Sequence, residues 1–512
     1  MKGSLQIIVL LVVLQMSYPA LAQTEGFYKD LFMDGGVSLT SRTSLPAATS
    51  LGYSMEYLAT GDGTRQADVM IQNALDDNGY LLYPDGSPRF RCIYTNGGGA
   101  TNHGNSLGEV GRSQIRDFYY NGGSFSGSCA GAFIVSMSYM SSGVYEPYYH
   151  IWPGRTAQPS IADVYTGHVI EANSPLLDYY DFGEDMYIAN VYHNLGPYPR
   201  EQLDYPAQTE ILTRFDHPGA AHHEKGSSWA YKDDASTGRI VVVASHPEGV
   251  TSGERLQFMK ALLRYALDGI GSPVVKGSLE NGSERVMDKF SGDNDPAFTR
   301  IGDRQYHHFT IDLPTNVNNL TIDLNGNNAY SFNLYMQRNE FAFESTAEWQ
   351  STTAGADHAL SLTNPEPGLW YIGVECESTV QTTLQSWGYE YTSGTGVLNG
   401  VSYSVTASWN PLSINSASQP ESRDLLYNYP NPFNPITTIS YTLPENSHAQ
   451  LTIYDITGQS IHTLVAASLL AGSYNTQWNG MNELGHQVST GVYFCCLQAG
   501  SFHQTIKMVY LP

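Results

Sequence analysis

Helical periodicity stops near Ser272. From there to the C-terminus, nearly half of this 512-residue sequence shows no apolar repeat at three and four residues, and that limits its fold more than any motif. Short alternating runs replace the repeat: "YHHFTIDL" from Tyr306, "NLTIDLNG" from Asn319, "FNLYMQ" from Phe332 and "GLWYIGVE" from Gly368, parted by Asn, Gly and Pro turns. Each reads as a strand with one buried face, and the series predicts a β-sandwich over residues 286–409. The polar stretch 410–424, "NPLSINSASQPESRD", reads as a linker. A second all-β unit follows over 425–512, with "ISYTL", "AQLTIYDITG", "NTQWNG" and "GVYFCCLQAG" as strands.

Residues 26–270 have the opposite texture. "DLFMDGG", "FRCIYTNGGG" and "GRIVVVASHPEG" read as strands running into loops, while "TRQADVMIQNALDD" and "SLGEVGRSQIRDFYY" read as helices. In "TSGERLQFMKALLRYALDGI", Leu256, Met259, Leu263 and Leu267 form one apolar face, and Thr251 with Glu254 suggests a capping box. Alternation of this kind predicts a mainly parallel sheet covered by helices, an α/β domain.

The first 22 residues carry Lys2, an apolar run from Leu5 to Leu14, and Ala20 and Ala22 in A-x-A spacing, the pattern of a secretory signal peptide. The expected location is therefore secreted or at the cell surface. No later run is long and apolar enough for a transmembrane helix. Acidic residues outnumber basic ones 49 to 25, a formal charge of −24, which argues against nucleic acid and other polyanion partners. Five cysteines (Cys92, Cys129, Cys376, Cys495 and Cys496) are too few and too scattered for a disulfide framework. Cys495 and Cys496 are strand neighbours whose side chains should point to opposite faces.

Cys129 stands apart. In "GGSFSGSCAGAF" a strand "GSFSGS" leads to a helix "AGAFIVSMSYM", with the cysteine on the turn between Gly127 and Gly131. Small neighbours are what a strained nucleophile elbow requires, and a helix N-terminus favours the thiolate. A base and an orienting group are needed next. His246 and Glu248 in "SHPEG" supply both, 117 residues downstream. The loop "TNGGGATN" offers bare N–H groups at Gly97, Gly98 and Gly99, which with Ala130 form a candidate oxyanion cradle.

Glycine loop, G-x-C-A-G and H-P-E, in that order, resemble class I glutamine amidotransferase-like domains. The nearest resemblance is to the amidotransferase-like domain at the N-terminus of eukaryotic biotin–protein ligases, supported by "DGGVSLTS" and "VYHNLGPYP". The resemblance implies a flavodoxin-like α/β sheet with Cys129 as nucleophile, His246 as base and Glu248 as orienter, working without a cofactor. Export, and the lack of a synthetase or ammonia-acceptor domain, turn the expectation from amidotransfer to hydrolysis of an amide or peptide-like bond. The competing expectation is a non-catalytic module that binds a small ligand or glycan through the same cleft.

The middle unit resembles the bacterial pre-peptidase C-terminal domain. The last unit, from "YNYPNPFNPITTISYTL" to "KMVYLP", is similar to the immunoglobulin-like sorting domain of type IX secretion, which implies that secretion machinery as a partner. Asn102, His103, Glu109, His168 and His193 lie in loops expected to gather at the mouth of the sheet, though each also reads as an ordinary hydrogen-bonding residue. His217, His222 and His223 have no convincing metal spacing, so no metal site is assigned. A weaker expectation is calcium held by Asp293, Asp295 and Asp303.

Overall fold

The computed structural model describes residues 25–34, 45–58, 80–139, 142–158, 161–201, 205–293, 295–385, 388–411, 426–443, 446–500 and 502–511. The signal peptide, the helix expected over 64–77 and most of the linker lie outside them. The chain forms two compact units, Met1–Leu412 and Ser413–Pro512.

The first unit contains an eleven-stranded sheet. Its strands are β1 (Lys29–Asp34), β2 (Met55–Leu58), β3 (Phe90–Thr95), β4 (Ser124–Ser128), β6 (Val164–Ile170), β7 (Tyr187–His193), β9 (Glu210–Asp216), β10 (Gly226–Tyr231) and β11 (Ile240–Val243), with a hairpin of Gln381–Gln385 and Gly388–Ser393 on one edge. The two-residue strands β5 (Thr156–Ala157) and β8 (Tyr198–Pro199) pair separately. From β2 through β1, β3 and β4 to β11 the strands are parallel, and β11, β10, β9, β6 and β7 then pair antiparallel.

This overturns the expected flavodoxin-like α/β domain. The molecule is mostly β, 44% strand against 14% helix, in several sheets. A parallel pair needs a crossover of a dozen residues or more, usually a helix. Between β4 and β11 the chain instead lays down four strands that pair antiparallel in this sheet, and the half-exposed patterns of the outer two, "ieBBBeB" in β6 and "iBeeBiB" in β7, need no helix on the outer face.

Two expected helical features also differ. The helix after Cys129 is a single turn, Ala130–Ile134, because the Ser136 hydroxyl donates back to the Phe133 carbonyl and the Ile134 and Val135 carbonyls accept from Tyr149 and Trp152 instead of continuing the helix. One turn has too few aligned peptides for a sizeable macrodipole. The helix Gly253–Leu267 begins at Ser252 with no side-chain cap, so the Thr251–Glu254 capping box does not form there. Its apolar face is as expected: Met259, Leu263 and Leu267 are buried, with Leu256 packed at the margin.

Helices Ala100–Tyr120 and Ala130–Ile134 contribute to one core of the sheet, and Pro46–Leu51 with Gly253–Leu267 to the other. Residues 275–411 add a sandwich of a five-stranded and a four-stranded sheet around Phe309, Ile322, Leu334 and Trp370. It is locked to the N-terminal sheet. Gly388 pairs with Leu58 of β2, and the Arg89 guanidinium grips both carboxylate oxygens of Asp303 at 2.9 and 2.8 Å, donates to the Tyr391 hydroxyl at 2.8 Å and lies 3.9 Å over the Tyr28 ring.

Asp303 is thus the buried partner of an arginine. It does not join Asp293, whose carboxylate accepts the Phe290 N–H at 2.9 Å, in a calcium loop. Replacing Arg89 by Ala strands that carboxylate, and urea denaturation should read a loss of about 3–5 kcal/mol. A loss under about 1 kcal/mol contradicts the lock.

The second unit is a three-stranded sheet facing a four-stranded one, with Leu451, Ile453 and Trp478 in its core. Cys495 is buried and Cys496 half-buried on opposite faces of their strand, and all five cysteines are free.

Candidate functional site

The backbone at Cys129 has φ 46° and ψ −93°, a region that L-residues rarely occupy. Side-chain bulk is excluded around it. A Cβ on Gly127 would lie 2.8 Å from Gly131 Cα, and one on Gly131 would lie 2.4 Å from the Thr95 carbonyl oxygen. The G-x-C-x-G frame therefore reflects strand, turn and helix packed backbone to backbone. The Cys129 N–H is anchored to the Val243 carbonyl at 2.9 Å, tying the turn to β11.

β11 delivers the partner. Beyond Val243, His246 donates its own N–H to the Tyr192 carbonyl at 2.8 Å, and its ring lies 5.6 Å from the Tyr192 ring. Nδ1 meets Glu248 Oε1 at 2.9 Å, so Nε2 is the ring nitrogen left to interact with Cys129. Burial opposes a charge on this imidazole. Hydrogen bonds with Cys129 and Glu248 and their negative charges outweigh it, raising the ring to about 10. That contribution to stability is complete below about pH 6.5 and fades as pH climbs through 10. The Cys129 sulfur also lies 3.6 Å from the Asn194 carbonyl.

The glycine loop reaches the pair through Gly97. A Cβ there would fall 2.1 Å from His246 Cε1 and 3.2 Å from Cys129 Cβ. Gly98 is exposed, Gly99 accepts the His103 N–H at 3.0 Å, and Ala130 is buried at the start of the turn. Beside the loop is a pocket of about 230 Å³ that includes Gly98, Gly99 and Asn102.

The other sequence candidates take supporting places. His103 is fully buried, with Nε2 2.7 Å from Asp34 Oδ2, which also accepts from the Tyr149 hydroxyl at 3.0 Å. His168 and His193 are buried behind His246, both bonded to the Ser245 hydroxyl, at 3.0 and 3.2 Å. Glu109 is an exposed partner of Arg112 and Arg116. His222 stacks on His193 with centroids 5.9 Å apart, and His217 donates its N–H to His223 Nδ1. No group of three His, Cys, Asp or Glu among the described residues is arranged to hold a metal. Sequence reasoning missed Asp34, Tyr192 and Ser245. Ser245 adjoins His246, and Asp34 and Tyr192 lie within the stretches "DGGVSLTS" and "VYHNLGPYP" without having been given a role.

The buried imidazoles set an acid limit. Burial, aided by neighbouring imidazoles, brings His168 and His193 down to about 3, and burial alone does the same to His308. The folded state rejects a proton that the unfolded chain accepts. Stability is therefore full above about pH 6.5 and is lost below it, at up to about 1.4 kcal/mol per pH unit for each ring. A urea midpoint unchanged between about pH 7 and about pH 4.5 contradicts this.

Two protein-family models match parts of the chain. The bacterial pre-peptidase C-terminal domain matches residues 305–375, and the FlgD Ig-like domain matches residues 435–501. The middle sandwich is thus of the pre-peptidase C-terminal kind and the second unit of the FlgD Ig-like kind. Neither match reaches Cys129. No curated protein matches the sequence significantly.

Among solved structures, the pre-peptidase C-terminal domain of collagenase from Bacillus anthracis is 9% identical, covering 27% of this chain and 99% of that one, with a TM-score of 0.17. Dimeric latent PorU from Porphyromonas gingivalis is 11% identical over 59% of this chain and 25% of its own, TM-score 0.16. A GH2 β-galacturonidase from Eisenbergiella tayi is 8% identical over 40% and 34%, TM-score 0.13. The chain thus spans a minor part of the latter two, and at these scores none of the three carries an argument. No helix among the described residues is long and apolar enough to cross a membrane.

Proposed function

We propose that this chain is a cysteine-dependent hydrolase of amide or peptide-like bonds, with Cys129 as nucleophile, His246 as base and acid, and Glu248 as its orienter. One observation carries the reading: two segments 117 residues apart set a strained cysteine against an imidazole that is itself hydrogen-bonded to a carboxylate. The motif order also fits the amidotransferase-like resemblance, and the reading does not depend on a flavodoxin-like sheet.

In the proposed reaction the Cys129 thiolate attacks the carbonyl carbon, and the oxyanion that forms is held by N–H groups of Gly98, Gly99 and Ala130. Protonated His246 gives its Nε2 proton to the leaving nitrogen as the C–N bond breaks, leaving a thioester. Water then attacks, His246 takes its proton, and the C–S bond breaks to release the acid and restore the thiolate. The test is turnover of an amide and peptide library by the full chain and by Cys129→Ala. Equal turnover by both sinks the proposal.

A second reading, a non-catalytic module that binds a small ligand or glycan, is favoured by the burial of Cys129, which is only 5% exposed. Export rests on the pattern of the first 22 residues. Delivery by type IX secretion rests on the resemblance over 425–512, where the FlgD Ig-like match is consistent with an immunoglobulin-like sandwich. Deleting 425–512 should trap the protein in the periplasm, and undiminished surface delivery would refute the sorting role.

A further inference from the structure

The pocket beside the glycine loop is walled by rings. Phe133 lies one helical turn past Cys129, and its N–H donates to the Cys129 carbonyl at 3.1 Å. It meets Tyr139 edge-on with centroids 5.9 Å apart, and Tyr139 lies 6.2 Å from Tyr148. Tyr145 braces Tyr139 and Tyr148 from outside the pocket, at 5.5 and 5.0 Å. Phe133 and Tyr148 are buried and Tyr139 is half-buried, so the wall is preformed and open on one side.

No charged side chain lines the pocket among the described residues; its polar groups are neutral, Thr101, Asn102 and Gln158. Burial pushes the Tyr148 hydroxyl far above its ordinary value, so it too stays uncharged. Nothing there would compensate the desolvation of an ammonium or carboxylate. The volume of about 230 Å³ exceeds the roughly 150 Å³ in which an apolar cavity holds a benzene ring.

We propose that this pocket is the selectivity subsite of the hydrolase reading on which it rests, and that it takes an uncharged aromatic side chain next to the scissile carbonyl. Gly98 and Gly99 belong to both the cradle and the pocket, so a ring seated there presents its own backbone carbonyl to Cys129. The neutral amides of Asn102 and Gln158 are suited to a peptide backbone. A free amino acid, with two charged groups near the reacting carbon, is excluded by the same lining.

Binding is measured on full-length Cys129→Ala by calorimetry with N-acetyl-phenylalaninamide, N-acetyl-lysinamide and N-acetyl-glutamic acid amide. The phenylalanine compound should bind at least about tenfold tighter than either charged one, the size expected of one ring cluster. Tyr139→Ala should erase that margin, and Gln158→Glu should narrow it in favour of lysine. Equal binding of the three, or a margin indifferent to both substitutions, overturns the subsite. An intact margin in a protein whose native form hydrolyses none of the matching aminomethylcoumarin amides supports the subsite and overturns the hydrolase reading instead.

Discussion

Iodoacetamide at about pH 5.5 is expected to alkylate Cys129 at least about 100-fold faster than Cys92 or Cys376, because only about one in a thousand ordinary thiols is ionised there. The contrast comes from surroundings. Cys92 and Cys376 are sealed in apolar cores, where burial drives their thiols far up, and burial pushes Cys495 up to about 12. Cys129 instead faces an imidazole that stays protonated through neutral pH, since Glu248 and the sulfur together support its charge against burial. Replacing His246 by Gln removes that cation and should bring the Cys129 rate down by about the same factor. Mass spectrometry of tryptic peptides reads all sites at once. A Cys129 rate no higher than that of Cys92 or Cys376 ends the enzyme reading and leaves the binding module.

Gly97→Ala should cost as much, with every reacting group still present. Its Cβ would overlap the His246 ring, at 2.1 Å from Cε1 and 2.6 Å from Nδ1, so the imidazole must swing away from Glu248, from Cys129, or from both. The clashing atoms belong to a side chain and not to backbone, so the fold can absorb their movement. The expected loss is at least about 100-fold in Cys129 alkylation and in any turnover, the size associated with a misplacement of about 1 Å. Near-UV circular dichroism should remain native. Wild-type reactivity in the variant would mean that the loop does not press on the histidine in solution.

The proposed set of Cys129, His246 and Glu248 was suggested by the sequence because its requirements are local. A nucleophile on a tight turn needs small neighbours, and the clashes at Gly127 and Gly131 show why. A histidine two residues from a glutamate across a proline can reach it by itself, as the 2.9 Å contact does. The burial of alternate residues in "GVYFCCLQA" and the apolar face of Gly253–Leu267 were likewise readable from period alone.

The sheet was not readable in the same way. Strands β6, β7, β9 and β10 carry mixed patterns that fit either orientation, and only the pairing of β10 with β11 turns that side of the sheet antiparallel. The capping box failed because the helix starts one residue later, at Ser252. The buried pair of Arg89 and Asp303 joins positions 214 residues apart, so no local pattern announces it, and the acidic loop suggested calcium only weakly.

By itself the sequence determined the strands of the two trailing β units, which cysteine stands on a bare turn, and which histidine and glutamate travel together, because these follow from side-chain size, period and short spacing. Only the tertiary structure decided that Gly97 presses on His246, that His168 and His193 stand behind it, and that the middle sandwich is fastened to the N-terminal sheet. Those contacts join distant segments, and their energy depends on burial that no single segment possesses alone.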